Sequence, residues 1–257
     1  MTLNMYQVDA FASKLFTGNP AAVVPLQNWL PDTMMQKIAQ ENNLSETAFF
    51  VPTPSGYHIR WFTPTAEVNL CGHATLASAY VICSFLSPEA NDLRFDSLSG
   101  ELRVSREGSR YYLDFPAQKA VVSETPEGRE FFGLEAEVYD GDDYLLVLSK
   151  EEDVRNYTPD LAGLKTLSRR GLIITAPGES KDFVCRFFAP RYGIDEDPVT
   201  GSAFTQLIPY WSKRLGQKSL QAAQISARGG EVACEMMDGR VRIGGEAVLY
   251  MEGAIHV

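Results

Sequence analysis

The sequence predicts an α+β protein of two similar domains, each a strand-rich layer around one buried helix. Three observations carry this. Short β-branched or aromatic runs recur along the 257 residues, bounded by Gly, Pro, Asn or Asp. One segment is apolar nearly all round and a second repeats apolar residues at the helical period, as buried helices do. A set of landmarks also repeats in order across the chain.

In chain order, strands are expected at Met5–Phe11 and Ala21–Pro25. A helix follows over Asp32–Glu41, after Pro31, with Met34, Met35, Ile38 and Ala39 at helical spacing. Strands return at Ala48–Pro52 and Tyr57–Phe62. The segment His73–Phe85 reads as the first buried helix. Strands are expected next at Glu101–Arg106, Tyr111–Phe115, Leu145–Leu148, Gly171–Ala176 and Phe183–Phe188. Ser202–Leu215 is the second buried helix, with Pro209 inside it as a candidate kink. Val232–Met236, Arg240–Ile243 and Ala247–Met251 complete the set.

The repeat aligns Trp61-Phe62-Thr63-Pro64 with Phe187-Phe188-Ala189-Pro190. It then aligns Cys71-Gly72-His73-Ala74 with Thr200-Gly201-Ser202-Ala203, and Leu98-Ser99-Gly100 with Arg228-Gly229-Gly230. The offsets are 126, 129 and 130 residues. The polar stretch Ala117–Glu130, with Pro126 and Gly128, suggests the boundary. The expected domains are therefore 1–118 and 119–257, with the last strand able to return to the first domain.

Composition narrows the function. A net charge of −10 argues against nucleic acid, and the longest basic cluster is only Ser168-Arg169-Arg170. The 45% apolar and 22% charged content is that of a soluble globular protein. No targeting segment or membrane-length apolar run is visible, so a cytoplasmic protein is expected. The cysteines Cys71, Cys83, Cys185 and Cys234 form no CxxC pair, and His58, His73 and His256 lack metal-ligand spacing. No metal site is expected. P-loop, GxGxxG and GxSxG patterns are absent.

Two turns rich in small residues, each leading into a buried helix, would direct free N–H groups at a ligand. A carboxylate suits them, and a cleft between the two domains is the expected place.

The segments Gly18–Val24, Asn43–Phe49, Leu70–Thr75 and Asp197–Ala203 together resemble the PhzF-like isomerase family of phenazine biosynthesis. Leu113–Pro116, Pro209–Trp211 and Ser226–Gly230 also fit, and the motifs run from about residue 8 to residue 253. The resemblance implies a diaminopimelate epimerase-like fold, with each domain a curled, mostly antiparallel, barrel-like sheet around a central helix. It implies a cofactor-independent isomerase that moves a proton between carbons of a small carboxylic acid, and it makes a homodimer plausible. The family often has His directly after the Asp197–Ala203 motif, where this chain has Phe204.

By the same resemblance Glu46 is the general acid/base, with His73 and Asp197 as the other polar catalytic positions. Asn19, Gly72, Gly201 and Ser202 are the expected substrate contacts. Read from the residues alone, Glu46 stands between Leu44 and Ala48-Phe49-Phe50, where desolvation would raise its pKa towards neutrality. A solvated turn glutamate is the alternative. His73 at a helix start is expected to be neutral, because the dipole disfavours the imidazolium. Asp197 could bind an amine, orient His73 or cap its turn.

A two-thiol racemase would need a second Cys where Thr200 stands, and a hydroxyl cannot replace a thiol near neutral pH. Cys71 is therefore read as a small buried helix-start residue. A Cys71/His73 nucleophile pair fits poorly, with only one residue between them across a turn. A racemase or epimerase on the same fold, or a non-catalytic binding protein retaining the scaffold, remain the alternatives.

Overall fold

Alternation sets the first sheet. In the strand Thr2–Ala10 (β1), Tyr6, Val8 and Ala10 are buried, as period-2 patterning requires. The computed structural model describes residues 1–123, 129–132 and 136–257. The chain divides into two units, Met1–Asp114 with Gly244–Val257, and Phe115–Ile243. Within the suggested linker, Pro126 and Gly128 lie outside the described residues.

In the first unit β1 pairs antiparallel with Asn19–Pro25 (β2), which pairs in parallel with Glu46–Thr53 (β3). The helix Asp32–Asn42 (α1) makes that crossover. Gly56–Phe62 (β4) pairs antiparallel with β3 and with the short Glu67–Val68 (β5). The helix Gly72–Val81 (α2) then crosses to Asp92–Ser97 (β6), which pairs in parallel with β4. Gly100–Glu107 (β7) and Arg110–Pro116 (β8) add antiparallel strands.

The second unit repeats this plan. Val121–Val122 (β9) and Glu137–Asp140 (β10) pair antiparallel, and β10 pairs with Tyr144–Val147 (β11). The helices Glu151–Asn156 (α3) and Leu161–Leu164 (α4) cross to Leu172–Pro177 (β12), parallel to β11. Phe183–Ala189 (β13) pairs antiparallel with β12 and with Ile194–Asp197 (β14). The helix Phe204–Leu215 (α5) then crosses to Ser219–Gln224 (β15), parallel to β13. Gly230–Met236 (β16) pairs with β15, and Arg240–Gly245 (β17) follows. The last strand, Ala247–His256 (β18), pairs with β1 of the first unit. The order of parallel and antiparallel steps from β1 to β7 is the order from β10 to β16.

Each unit is built around its helix. In α2 every residue from His73 to Ala79 is buried, and full burial of Leu76 and Val81 contributes roughly 1.5–3 kcal/mol each. The expected helix His73–Phe85 stops being α-helical at Val81 and widens into a π turn over Ile82–Leu86. That turn keeps Ile82 and Cys83 inside while Phe85 and Leu86 face outward. In the second unit Trp211 of α5 stacks on Phe183 at 5.4 Å and donates to Thr175 Oγ1 at 3.0 Å. Pro209 does not end α5. Its missing N–H would have bonded the Thr205 carbonyl, which instead accepts from Gln118 N at 3.0 Å.

Several strands go beyond the sequence reading. β6 buries Leu93 and Phe95 in plain alternation. β15 turns Leu220, Ala222 and Gln224 inward, a polar-looking run with weak strand signal. β18 extends five residues beyond the expected Met251, because β1 supplies a partner down to Thr2.

Candidate active site

Glu46 reaches its place through the α1–β3 connection. Asn43 adopts the left-handed conformation that ends α1 (φ 48°), with its N–H on the Ala39 carbonyl. The chain turns at once into β3, and Asn42 Nδ2 donates to Thr47 Oγ1 at 3.1 Å. Glu46 stands opposite Ala21 in the parallel register, so alternation places Asn19 on the same sheet face. Gly18 makes this entry into β2 possible. Its φ is 69°, and a Cβ there would stand 2.2 Å from the Ala10 carbonyl oxygen.

Cys71 and His73 come from the start of α2. Cys71 is the extended N-cap residue, and its carbonyl accepts from Thr75 N at 3.2 Å and Thr75 Oγ1 at 2.6 Å. Gly72 and His73 carry two of the N–H groups that helix geometry leaves without an intrahelical partner.

The three side chains converge. His73 Nε2 lies 3.2 Å from Glu46 Oε2, yet the contact is not aligned as a hydrogen bond and both atoms are otherwise without a partner. On the other ring edge, Nδ1 is 3.5 Å from Cys71 Sγ. One ligand atom from each of Glu46, Cys71 and His73 lies within 4.8 Å of the others. All three are buried, at 9%, 7% and 5% exposure. Glu46 is thus not a solvated turn residue.

Burial pushes the Cys71 thiol up to about 11, with the Glu46 charge adding to the rise and His73 opposing it. For His73, burial disfavours the imidazolium, while the neighbouring Cys71 and the Glu46 carboxylate pull its titration upward. The Glu46 carboxylate thus acts on His73 in the sense opposite to the helix dipole, which favours the neutral ring. The turn between Cys71 and His73 also brings the two side chains together, which spacing alone did not suggest.

The matching turn of the second unit is organised differently. Asp197 closes β14, and its carboxylate accepts from Thr200 Oγ1 at 2.5 Å. Gln224, fully buried, accepts from Thr200 N at 2.9 Å and donates to the Asp197 carbonyl at 2.7 Å and to Thr200 Oγ1 at 3.2 Å. A 3-10 turn over Gly201–Ala203 leads into α5. Ser202 Oγ accepts from Arg170 Nη1 at 2.7 Å. Arg170 also clasps the buried Asp143, from Nε at 2.9 Å and through a second, shorter contact from Nη2. Its guanidinium lies 5.1 Å from the Phe187 ring centre.

Sequence reasoning missed Arg170, Asp143 and Gln224. The first was visible only as part of a basic cluster too short for nucleic acid. The other two carry no local motif, since their partners are 24 to 63 residues away.

The whole arrangement has relatives. The sequence matches the phenazine biosynthesis-like protein family, PhzC-PhzF, over residues 8–253. The chain belongs to the PhzF-like family. An uncharacterized isomerase of Pseudomonas aeruginosa is 51% identical over 259 aligned positions, with all of both chains covered. The crystal structure of a PhzF family protein of Enterococcus faecalis superposes with a TM-score of 0.97 at 48% identity, again covering both chains fully. A hydroxyproline epimerase of Agrobacterium vitis, 8% identical, matches with a TM-score of 0.64 over 99% of this chain and 92% of its own. That likeness concerns the fold alone, and it is the epimerase-like α+β fold the sequence predicts. Where PhzF-like relatives are expected to carry a histidine, Phe204 is fully buried with its ring 6.1 Å from that of Phe183.

Proposed function

We propose that this protein is an isomerase that moves a proton between carbons of a small carboxylic acid, with Glu46 as the general acid/base. The observation that carries this is the buried Glu46 carboxylate, set against His73 without a hydrogen bond to it. A carboxylate held out of water keeps no solvent shell to shed when it takes a proton. Glu46 takes a proton from one carbon, and the C–H electron pair spreads into the adjoining unsaturation. It then returns the proton to a second carbon, and the double bond shifts. His73 donates towards the negative charge that develops. Gly72 at the start of α2 offers an N–H to a substrate carboxylate. On the same reading Asn19, Asp197, Gly201 and Ser202 bind substrate, Gly201 and Ser202 through a second helix start. No organic cofactor is needed for this step.

Cys71 supports a second reading. Its sulfur against His73 would suit epimerisation at a single carbon, with the thiol returning a proton on one face after a base has removed one from the other.

The test is deuterium uptake in D₂O, followed by NMR, on a panel of small amino, hydroxy and dihydroaromatic acids. Uptake at a new carbon that vanishes in Glu46→Gln is expected. Inversion at one carbon that survives Glu46→Gln would overturn the assignment in favour of epimerisation. Tight binding of an acid with no exchange, in wild type and variant alike, would favour a binding protein.

A further inference from the structure

We propose that Glu46, Cys71 and His73 form a binding site for a thiophilic divalent cation of the zinc class, and that the bound ion blocks proton transfer. The sequence spacing offered no ligand set, because the carboxylate comes from the start of β3 and the other two groups from the start of α2. Folding brings together a thiol, an imidazole and a carboxylate from three buried residues, with Glu46 Oε2 and His73 Nε2 themselves shut off from solvent. Among the described residues no other group of His, Cys, Asp and Glu converges in this way.

Geometry and unmet bonding both point to an ion. Two ligands of a tetrahedral zinc stand roughly 3.3 Å apart, given bonds of about 2.0–2.1 Å to nitrogen and oxygen. His73 Nε2 and Glu46 Oε2 are 3.2 Å apart, and neither has a hydrogen-bond partner. An ion seated between them gives both a partner at once. Cys71 Sγ belongs to the same 4.8 Å cluster but rests 3.5 Å from Nδ1, the other ring nitrogen, so its side chain must turn towards the ion to make a zinc–sulfur bond of about 2.3 Å. Three protein ligands leave the fourth position to water. A thiolate with an imidazole selects zinc or cobalt over magnesium or calcium, which prefer all-oxygen cages. Each ion that binds releases the thiol proton, and any second imidazole proton, to solvent.

Occupation and catalysis exclude one another. The carboxylate lone pair that would take a substrate proton is the one that binds the ion. The blocking half of the proposal rests on the isomerase reading; the binding half does not.

The test begins with the full chain treated with a chelator and titrated with Co²⁺. One ion per chain is expected, with thiolate-to-cobalt charge-transfer absorption that Zn²⁺ displaces and Mg²⁺ does not. Cys71→Ala should abolish that absorption, and Cys83→Ala should keep it. Losing even an outer-shell partner weakens metal binding 10–100-fold, so Glu46→Gln should weaken it by at least about ten-fold. Should Cys71→Ala fail to fold by circular dichroism, His73→Gln decides in its place, with the same ten-fold expectation. Absence of the charge-transfer band in the wild type, its persistence in Cys71→Ala, or an unchanged cobalt affinity in Glu46→Gln or His73→Gln would overturn the site. Zn²⁺ should suppress deuterium uptake with the midpoint of the binding curve. Undiminished uptake at saturation would overturn the blocking role. A metal-free enzyme that exchanges nothing would count against the isomerase reading and leave the cobalt result standing.

Discussion

At the start of α2 a carboxylate, an imidazole and a thiol crowd together, and two of their polar atoms lack a hydrogen bond. At the start of α5 the matching turn holds Thr200 and Ser202, which are hydrogen-bonded to Asp197, Gln224 and Arg170. The strand order around the two helices is the same. A duplicated scaffold therefore fixes where a helix begins but not what its first turn does. In the first unit the ionisable side chains face one another, with two polar atoms lacking a hydrogen bond. In the second, the same location is tied into a network that holds its shape.

Breaking each helix start should accordingly have a different consequence. The largest effect is expected for Glu46→Gln, which keeps the shape of the side chain and removes its basicity. Proton exchange should fall by about 10²–10⁴-fold, the usual contribution of a positioned acid/base, while thermal stability stays close to wild type. A large loss of stability with only a small loss of exchange would place Glu46 in the scaffold instead.

Next comes Arg170→Ala in the second unit. It leaves the Asp143 carboxylate, only 1% exposed, without its guanidinium. Removing one partner of a fully buried pair costs about 3–5 kcal/mol. Arg170 itself is 39% exposed, so about 2 kcal/mol is the better expectation, read as a shift in denaturant midpoint. An unchanged midpoint would show that water replaces Arg170 easily and that the network is less structural than its geometry implies.

A pair of matched substitutions sharpens the contrast. Thr200→Val removes a hydroxyl that donates to Asp197 and accepts from Gln224, and leaves buried polar groups without it. Thr75→Val removes one that donates only to the Cys71 carbonyl, which keeps the Thr75 N–H. The first should cost about 1–3 kcal/mol and the second about 1 kcal/mol or less. Equal costs in chemical denaturation would mean that the α5 turn is no more tightly networked than the α2 turn.

Much of this was legible in the chain. α2 announced itself because apolar residues on every side have no other place to go, and α5 because its apolar residues recur with the helical period. The duplication was readable because Gly72 and Gly201 stand at the same turn before similar helices. The convergence of Cys71 with His73 was not readable, since it depends on the N-cap geometry of Cys71 rather than on spacing. Gln224 was hidden for a related reason. A glutamine at the end of a polar-looking strand has no local signature, and its bonds to Thr200 and Asp197 exist only once β15 lies beside β13. The setting of His73 was half readable, because the helix dipole is visible in sequence, whereas a carboxylate from β3 is visible only in three dimensions.

The smallest effect concerns the two helices themselves. α2 has no proline, while α5 carries Pro209 in its interior. A proline inside a helix ordinarily costs about 3 kcal/mol relative to alanine, through a lost hydrogen bond and a clash with the preceding turn. Here the carbonyl that proline cannot satisfy, that of Thr205, already accepts from Gln118 N at 3.0 Å. Pro209→Ala would add an N–H that must compete with Gln118 for that oxygen. Most of the usual gain should therefore be missing, and the change in stability should stay within about 0.5 kcal/mol, the range of substitutions that disturb no special feature. Stabilisation by the full helix-propensity difference would show that the Gln118 bond contributes little, and that α5 tolerates its proline at a standing cost.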